Sequence, residues 1–306
     1  MGISHYLKDI GRGKEGARAL NRAQAADLLG QVLDGTASDL EVGAFCIAMR
    51  IKGETPEEMA GFLDAVHDRL EMLPASHRAL VVLPSYNGAR KLPVLTPLLA
   101  LLLARQGLPV LVHGTATEVR RVGSHDVLAS LGVEPLQELD AIAPGAVAFA
   151  PTALLLPGLA RLLAVRRTLG LRNSAHSLVK LMDPLAPVAG GSLIVSSYTH
   201  PEYAESMAAT ITLMGTDALL LRGTEGEPVA DPRRTPRMDG FRSGQPLRLQ
   251  ETQGGPLTTL PALPPGTDVA ATAAYTRAVL GGELPVPPPI ALQVEHILHM
   301  TEHIAT

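Results

Sequence analysis

A chain of 306 residues is long enough to bury a sizeable core and to form one or two domains. Hydrophobic residues make up 46% of it but aromatic residues only 3%, so an aliphatic core is expected and platforms for stacking bases are scarce. A net charge of −4 excludes a uniformly basic nucleic-acid binder but not a local basic face, and a single cysteine excludes an intramolecular disulfide framework.

That cysteine, Cys46, lies among apolar residues of a predicted helix and reads as a buried, inert thiol, which fits a reducing cytoplasm. Residues 1–22 are polar and basic, so no signal peptide is expected. The longest apolar run, 92–104, is broken by prolines and too short for a bilayer, so no membrane partner is expected.

The first seventy-odd residues carry only helix signals. Asn21 caps a helix over 22–33 that ends before Asp34-Gly35. Ser38 with Glu41 forms a capping box for a helix running through Arg50. Thr55-Pro56-Glu57-Glu58 starts a third, with Thr as cap, Pro in the first turn and Glu reaching back. Its apolar face follows at helical spacing as Met59, Phe62, Leu63, Val66 and Leu70, and Leu73-Pro74 ends it.

From residue 79 strands and helices alternate. Strands are predicted at 79–83, 109–112, 146–150, 193–198 and 217–222. The helices between them run from Thr96 to Gly107, from Ser124 to Gly132, from Pro157 to Gly170, over 173–182, and from Pro201 to Gly215. Residues 228–266, rich in Pro, Gly and Arg, read as mostly loop, and two helices finish the chain near 268–281 and 289–304. The expected fold is α/β: a small helical domain over residues 1–75, and a larger domain over 76–306 with a mostly parallel sheet.

The loop after the first strand reads Pro84-Ser85-Tyr86-Asn87-Gly88-Ala89-Arg90-Lys91. Loops at strand carboxyl ends are where open α/β sheets bind ligands. A diphosphate site there calls for several glycines and often a carboxylate for a metal. This loop has one glycine, no carboxylate and two adjacent cations. It suits holding a phosphate better than magnesium-assisted chemistry on one.

Between Asp140 and Asp183 no acidic residue occurs, and the charges there are Arg161, Arg166, Arg167, Arg172 and Lys180. A one-signed stretch makes a positive surface despite the acidic total. It reads as a phosphate track, or equally as a dimer face or a set of partners for distant acids. Arg90 and Lys91, with Arg120 and Arg121 after His113-Gly114, extend the track if these loops meet. The terminal cations Lys8, Arg12, Lys14, Arg18 and Arg22 are interrupted by Asp9 and Glu15 and read as a solvated segment. Arg233, Arg234 and Arg237 read as an ordinary exposed loop.

His296, His299 and His303 share a helix face but match no standard metal motif. His113, His125 and His176 lack an evident partner carboxylate, which favours hydrogen-bonding roles over acid–base catalysis. Ser85 has no visible His/Asp relay. No catalytic residue is assigned.

Residues 33–61, which include Met49-Arg50-Ile51-Lys52-Gly53-Glu54-Thr55-Pro56-Glu57-Glu58-Met59-Ala60-Gly61, resemble the helical-domain signature of glycosyltransferase family 3, the anthranilate phosphoribosyltransferases. Gly123-Ser124-His125-Asp126-Val127-Leu128 with Leu131-Gly132-Val133, and Val165-Arg166-Arg167-Thr168-Leu169-Gly170-Leu171-Arg172, resemble two further blocks. The resemblance spans nearly the whole chain. It implies the phosphoribosyltransferase and nucleoside phosphorylase-like fold, helices near 166–182 returning to the helical domain, and a homodimer through that domain. Phe45, Ile47 and Met49 are candidates for the dimer face, with core burial as the alternative.

Three departures touch diphosphate or metal. The family's G-T-G-G-D loop is here Ser85-Tyr86-Asn87-Gly88-Ala89, and its K-H-G-N block is Val112-His113-Gly114-Thr115. Its Asp-Glu magnesium pair is replaced by Arg222-Gly223-Thr224-Glu225-Gly226-Glu227-Pro228-Val229, leaving Glu225 and Glu227 as weak metal candidates. The 83–91 loop, Arg172-Asn173-Ser174-Ala175-His176 and residues 222–227 together resemble the YbiB subfamily. That resemblance implies DNA or RNA binding with little sequence preference, no catalysis and no cofactor. The phosphate contacts would be Arg90, Lys91, Arg120, Arg121, Arg166, Arg167, Arg172 and Lys180. The alternative is a phosphoribosyltransferase with an altered acceptor, in which magnesium and phosphoribosyl diphosphate bind a rebuilt loop.

Overall fold

Three of the N-terminal helices begin where side chains satisfy backbone donors that a helix leaves unpaired. The computed structural model describes residues 2–13, 15–74, 78–118, 120–185, 191–257 and 260–304, so Lys14 lies outside the described residues. After α1 (Ser4–Ile10), reciprocal capping boxes open α2 (Arg22–Leu33; Asn21 with Gln24), α3 (Asp39–Lys52; Ser38 with Glu41) and α4 (Pro56–His67; Thr55 with Glu58). Each cap is worth about 1 kcal/mol. Glu58 does more. It is buried, accepts the Leu20 N–H at 2.9 Å, and pairs with Lys52 Nζ at 2.5 Å, which fixes the corner between α3 and α4.

Phe45 and Phe62 meet edge-to-face, 5.9 Å between centroids, in the core of these helices. For two of the three residues offered as a dimer face, the alternative of core burial holds. Phe45 and Met49 are fully buried, whereas Ile47, the third, is exposed on α3 together with Leu40 and Ile51. α4 also ends earlier than its apolar spacing suggests, at His67, so Leu70 lies beyond it.

The strands are β1 (Leu80–Ser85), β2 (Val110–Gly114), β3 (Val147–Pro151), β4 (Ser192–Tyr198), β5 (Ala218–Arg222), β6 (Met238–Arg242) and β7 (Gln245–Gln250), in the order β3-β2-β1-β4-β5-β6-β7. β1 to β5 pair in parallel, whereas β6 and β7 are antiparallel. That hairpin lies in the stretch expected to be loop. Its two-residue turn has Ser243 at φ 46° and Gly244 at φ 76°, both in the left-handed region that a tight hairpin needs.

The remaining helices are α5 (Thr96–Arg105), α6 (Ser124–Ser130), α7 (Thr152–Leu155), α8 (Pro157–Leu169), α9 (Ala175–Leu178), α10 (Pro201–Met214), α11 (Val269–Gly281) and α12 (Pro288–Thr301). The sheet alternates between two cores, as a period of two demands. Leu80, Val82, Ile194 and Leu220 pack toward the N-terminal helices. Val81, Leu83, Val110 and Leu219 pack toward Leu98, Leu103 and Ile297 on the other face.

α8 packs on α2, where Arg161 Nη2 donates to the Leu33 carbonyl at 2.9 Å, and α9 packs on α4. The helix expected over 173–182 is only the four residues of α9. Because β1 pairs with β2 on one side and β4 on the other, the winding reverses at β1. The carboxyl ends of β1 and β4 therefore open onto the crevice where such sheets bind ligands. Among the described residues no helix is long and apolar enough to cross a membrane.

Candidate phosphate-binding crevice

The backbone donors of the β1–α5 loop are already taken by carboxylates of the chain itself. Glu227, 2% exposed, accepts the N–H of Asn87 at 2.7 Å and of Gly88 at 2.9 Å through Oε1. Its Oε2 accepts the Ser85 hydroxyl and the Thr96 hydroxyl, the latter at 3.0 Å. Four donors thus converge on one buried carboxylate, which satisfies its charge without a cation in contact.

Glu225 does the same one turn further out. It accepts the N–H of Arg90 at 2.6 Å and of Lys91 at 2.8 Å. Its own backbone sits at φ 54°, ψ 20°, a conformation unusual for any residue but glycine. Gly226 follows at φ 88°, and a Cβ there would collide with the Asn87 side chain.

Cations gather beside this loop. Arg172 Nη2 donates to Asn87 Oδ1 at 2.6 Å, and Arg121 Nη1 donates to the Asn87 carbonyl at 3.2 Å. Arg166 pairs with Glu118, and Arg121 lies 3.8 Å from the same carboxylate. Arg167 Nη2 reaches the Ala116 carbonyl at 3.4 Å. Thr117 Oγ1 donates to the Tyr86 carbonyl at 2.7 Å and Ala89 N–H to the Val122 carbonyl at 2.8 Å, so the two loops are stitched together.

The clustered cations act on Arg172. Burial lowers its pKa, the charges of Arg166 and Arg121 lower it further, and Glu118 opposes them. Burial, then Arg172 and Arg166, push His176 down to about 3. Two buried nitrogens in this cluster, Arg166 Nη1 and His176 Nε2, have no hydrogen-bond partner. Arg90, Lys91, Arg120 and Arg167 are exposed. Among the described residues none of these four, nor Arg172, forms a salt bridge.

Lys180 departs from the surface track. It is buried, and its Nζ donates to the carbonyls of Ser197 and Gly226, both at 2.9 Å. Burial pushes it down to about 8. It anchors the β5–β6 loop that carries Glu225 and Glu227, and does not face solvent.

His113 and Gly114 are buried under the loop, with His113 Nδ1 2.8 Å from the Tyr86 hydroxyl, which is also 3.0 Å from Thr152 Oγ1. Burial holds His113 down at about 3 and raises Tyr86. A Cβ at Gly114 would strike the Ser85 carbonyl, so this close strand approach requires glycine. Cys46 is buried and its thiol is raised to about 11 by burial.

The other cations are elsewhere. Arg233 pairs with Asp231, Arg237 with Asp239, Arg12 with Asp9 and Arg22 with Asp64. Arg234 donates to the carbonyls of Gln253 and Gly255.

Sequence reasoning missed Thr96, Ser124, Glu118 and Arg50. Ser124 Oγ lies 2.7 Å from Ser85 Oγ, and Arg50 is close enough to lower the Arg172 pKa. Glu118 lies outside the acid-free interval that framed the charge count. Arg50 stood inside the most family-like stretch, and position there was the only available signal.

As for magnesium and a diphosphate, the donor set does not fit them. The amides that would hold phosphate oxygens hold Glu225 and Glu227, and these carboxylates face N–H groups. No group of three or more His, Cys, Asp or Glu is arranged to hold a metal among the described residues.

Residues 4–69 match the helical bundle domain of the glycosyl transferase family. YbiB, an uncharacterized protein of Escherichia coli (strain K12), is 39% identical over 100% of this chain and 96% of its own length. An anthranilate phosphoribosyltransferase of Salinispora arenicola is 30% identical over 86% of this chain and 76% of its own. The chain belongs to the anthranilate phosphoribosyltransferase-like glycosyl transferase family.

The family fold is matched in full. The anthranilate phosphoribosyltransferase of Thermus thermophilus superposes with a TM-score of 0.75 at 23% identity, covering 98% of this chain and 89% of that one. The Saccharomyces cerevisiae enzyme in complex with PRPP and Mg superposes with a TM-score of 0.69 at 16% identity, covering 98% and 88%. At these identities the likeness is one of fold. Several of the relatives are named as anthranilate phosphoribosyltransferases, so they favour the transferase alternative over nucleic-acid binding.

Proposed function

We propose that the crevice binds the phosphate backbone of nucleic acid, DNA or RNA, with little sequence preference and without ribosyl transfer. One observation carries this reading: Glu227 fills the loop amides that a diphosphate would need, while the exposed cations around the loop stay without carboxylate partners. Arg90, Lys91, Arg120, Arg121, Arg166, Arg167 and Arg172 supply the positive surface, with Lys180 behind it. Few aromatic residues leave charge as the source of affinity, which favours backbone contact over base readout. We further propose a homodimer through the helical part, where α3 exposes Leu40, Ile47 and Ile51, in a reducing cytoplasm.

A polarisation titration with a labelled single-stranded oligonucleotide at two salt concentrations tests the reading. Binding that weakens steeply with salt is expected. No binding at low salt rejects it.

The second reading, phosphoribosyl transfer to an altered acceptor, draws its support from the named relatives. It requires Glu225 and Glu227 to leave the loop and take up magnesium. Turnover of phosphoribosyl diphosphate would establish it.

A further inference from the structure

The two carboxylates that close the loop are not equivalent. Glu227 is buried and bound by four donors that are themselves buried, so nothing in solvent reaches them without unpacking the β1–α5 loop. Glu225 is half-buried, at the mouth of the crevice. Its partners are the successive amides of Arg90 and Lys91, whose side chains are exposed.

Successive N–H groups turned toward one anion form a nest, a concavity that takes a carboxylate or a phosphate oxygen alike. Two neighbouring cations favour the more highly charged occupant. Glu225 also sits at φ 54°, a left-handed backbone conformation that non-glycine residues rarely adopt.

We propose that Glu225 is a displaceable stand-in for phosphate, and that one phosphate group of an incoming polyanion replaces it on the Arg90 and Lys91 amides. Glu227 stays in place as a permanent occupant. The nest then becomes a ligand site that opens only when its internal anion is outcompeted. Glu225 is thereby a specificity determinant, because a ligand must bring enough additional charge contacts to evict it. The inference rests on the polyanion reading and refines it at one position.

Inorganic pyrophosphate without metal is the probe, titrated by calorimetry into the wild-type chain, Glu225→Gly and Glu225→Gln. Glycine removes the carboxylate and suits the left-handed backbone, so this variant keeps its fold; melting curves check both. Pyrophosphate affinity is expected to rise about tenfold in Glu225→Gly and less in Glu225→Gln. Hydrogen exchange of the 88–92 amides should slow when pyrophosphate is added to the glycine variant, which locates the site. Unchanged affinity, or a gain without local protection, overturns the inference. The wild-type oligonucleotide titration is run beside it. If the oligonucleotide binds while the pyrophosphate affinity is unchanged, only the displacement idea fails. If the oligonucleotide does not bind at all, the polyanion reading fails as well.

Discussion

Glu227 holds the backbone N–H of Asn87 at 2.7 Å, and through it a loop more than a hundred residues away in sequence. The same Asn87 receives Arg172 on its side chain and Arg121 on its carbonyl. One residue therefore couples the internal anion to the basic cluster, and the loop cannot change shape without disturbing both.

Removing the Glu227 carboxylate should be costly. Glu227→Ala strands two backbone N–H groups and two hydroxyls, and a loss of about 3–5 kcal/mol in urea denaturation is expected. Glu227→Gln keeps the shape and one acceptor, and hydroxyls can turn to its amide, so about 1–2 kcal/mol is expected. Equal stability of Glu227→Ala and wild type would contradict the placement of this carboxylate.

The exposed cations and the buried lysine should behave oppositely. Lys91→Ala, Arg120→Ala and Arg167→Ala should leave the melting temperature unchanged and each reduce the slope of oligonucleotide affinity against salt by about 1. Lys180→Met removes the ammonium from the carbonyls of Ser197 and Gly226, the latter keeping only the Ser197 hydroxyl as donor. It should destabilise the fold by about 1–3 kcal/mol with the salt slope intact.

Acid should weaken the fold before the carboxylates titrate. His113 and His176 are held at about 3 by burial, well below the ordinary value near 6.5. Above that ordinary value both folded and unfolded chains carry them neutral, and their contribution is complete. Below it the unfolded chain takes up protons that the folded chain refuses, so stability falls as pH falls, down to the folded pKa. Between about pH 7 and about pH 5.5 the pair should remove about 2 kcal/mol, read by urea denaturation at each pH. The double variant His113→Gln/His176→Gln should reduce that dependence, leaving the share of His67 and His296, whose pKa values burial also lowers.

Gly226→Ala tests the close approach of the two loops. Its φ of 88° and its contact with the Asn87 side chain leave no place for a Cβ. A loss of about 1–3 kcal/mol is expected, with a weaker grip of Arg172 on Asn87 and a lower oligonucleotide affinity.

Much of the fold was legible because its signals are local. The capping residues Asn21, Ser38 and Thr55 start their helices where expected, and the apolar runs at 79–83 and 193–198 are the buried parallel strands β1 and β4. The β6–β7 hairpin was hidden because proline and arginine masked a strand pattern whose turn rests on Ser243-Gly244. Arg90, Lys91, Arg120 and Arg121 were expected to extend the 161–180 track if the two loops meet, and Arg121 and Arg172 meet at Asn87. The pairing of Arg166 with Glu118 was not legible, because a partner 48 positions away leaves no periodic trace. Nor was the capture of the Asn87 and Gly88 amides by Glu227, since a carboxylate replacing a ligand looks in sequence like a displaced metal ligand. The burial of Lys180 was missed for a similar reason: a charge count carries no depth.

The account turns on whether the loop amides are closed to a diphosphate, and calorimetric titration of phosphoribosyl diphosphate with magnesium into the purified chain asks this directly. Because Glu227 occupies those amides, no metal-dependent binding in the micromolar range is predicted. A micromolar, magnesium-requiring isotherm would contradict the account and return the crevice to phosphoribosyl transfer.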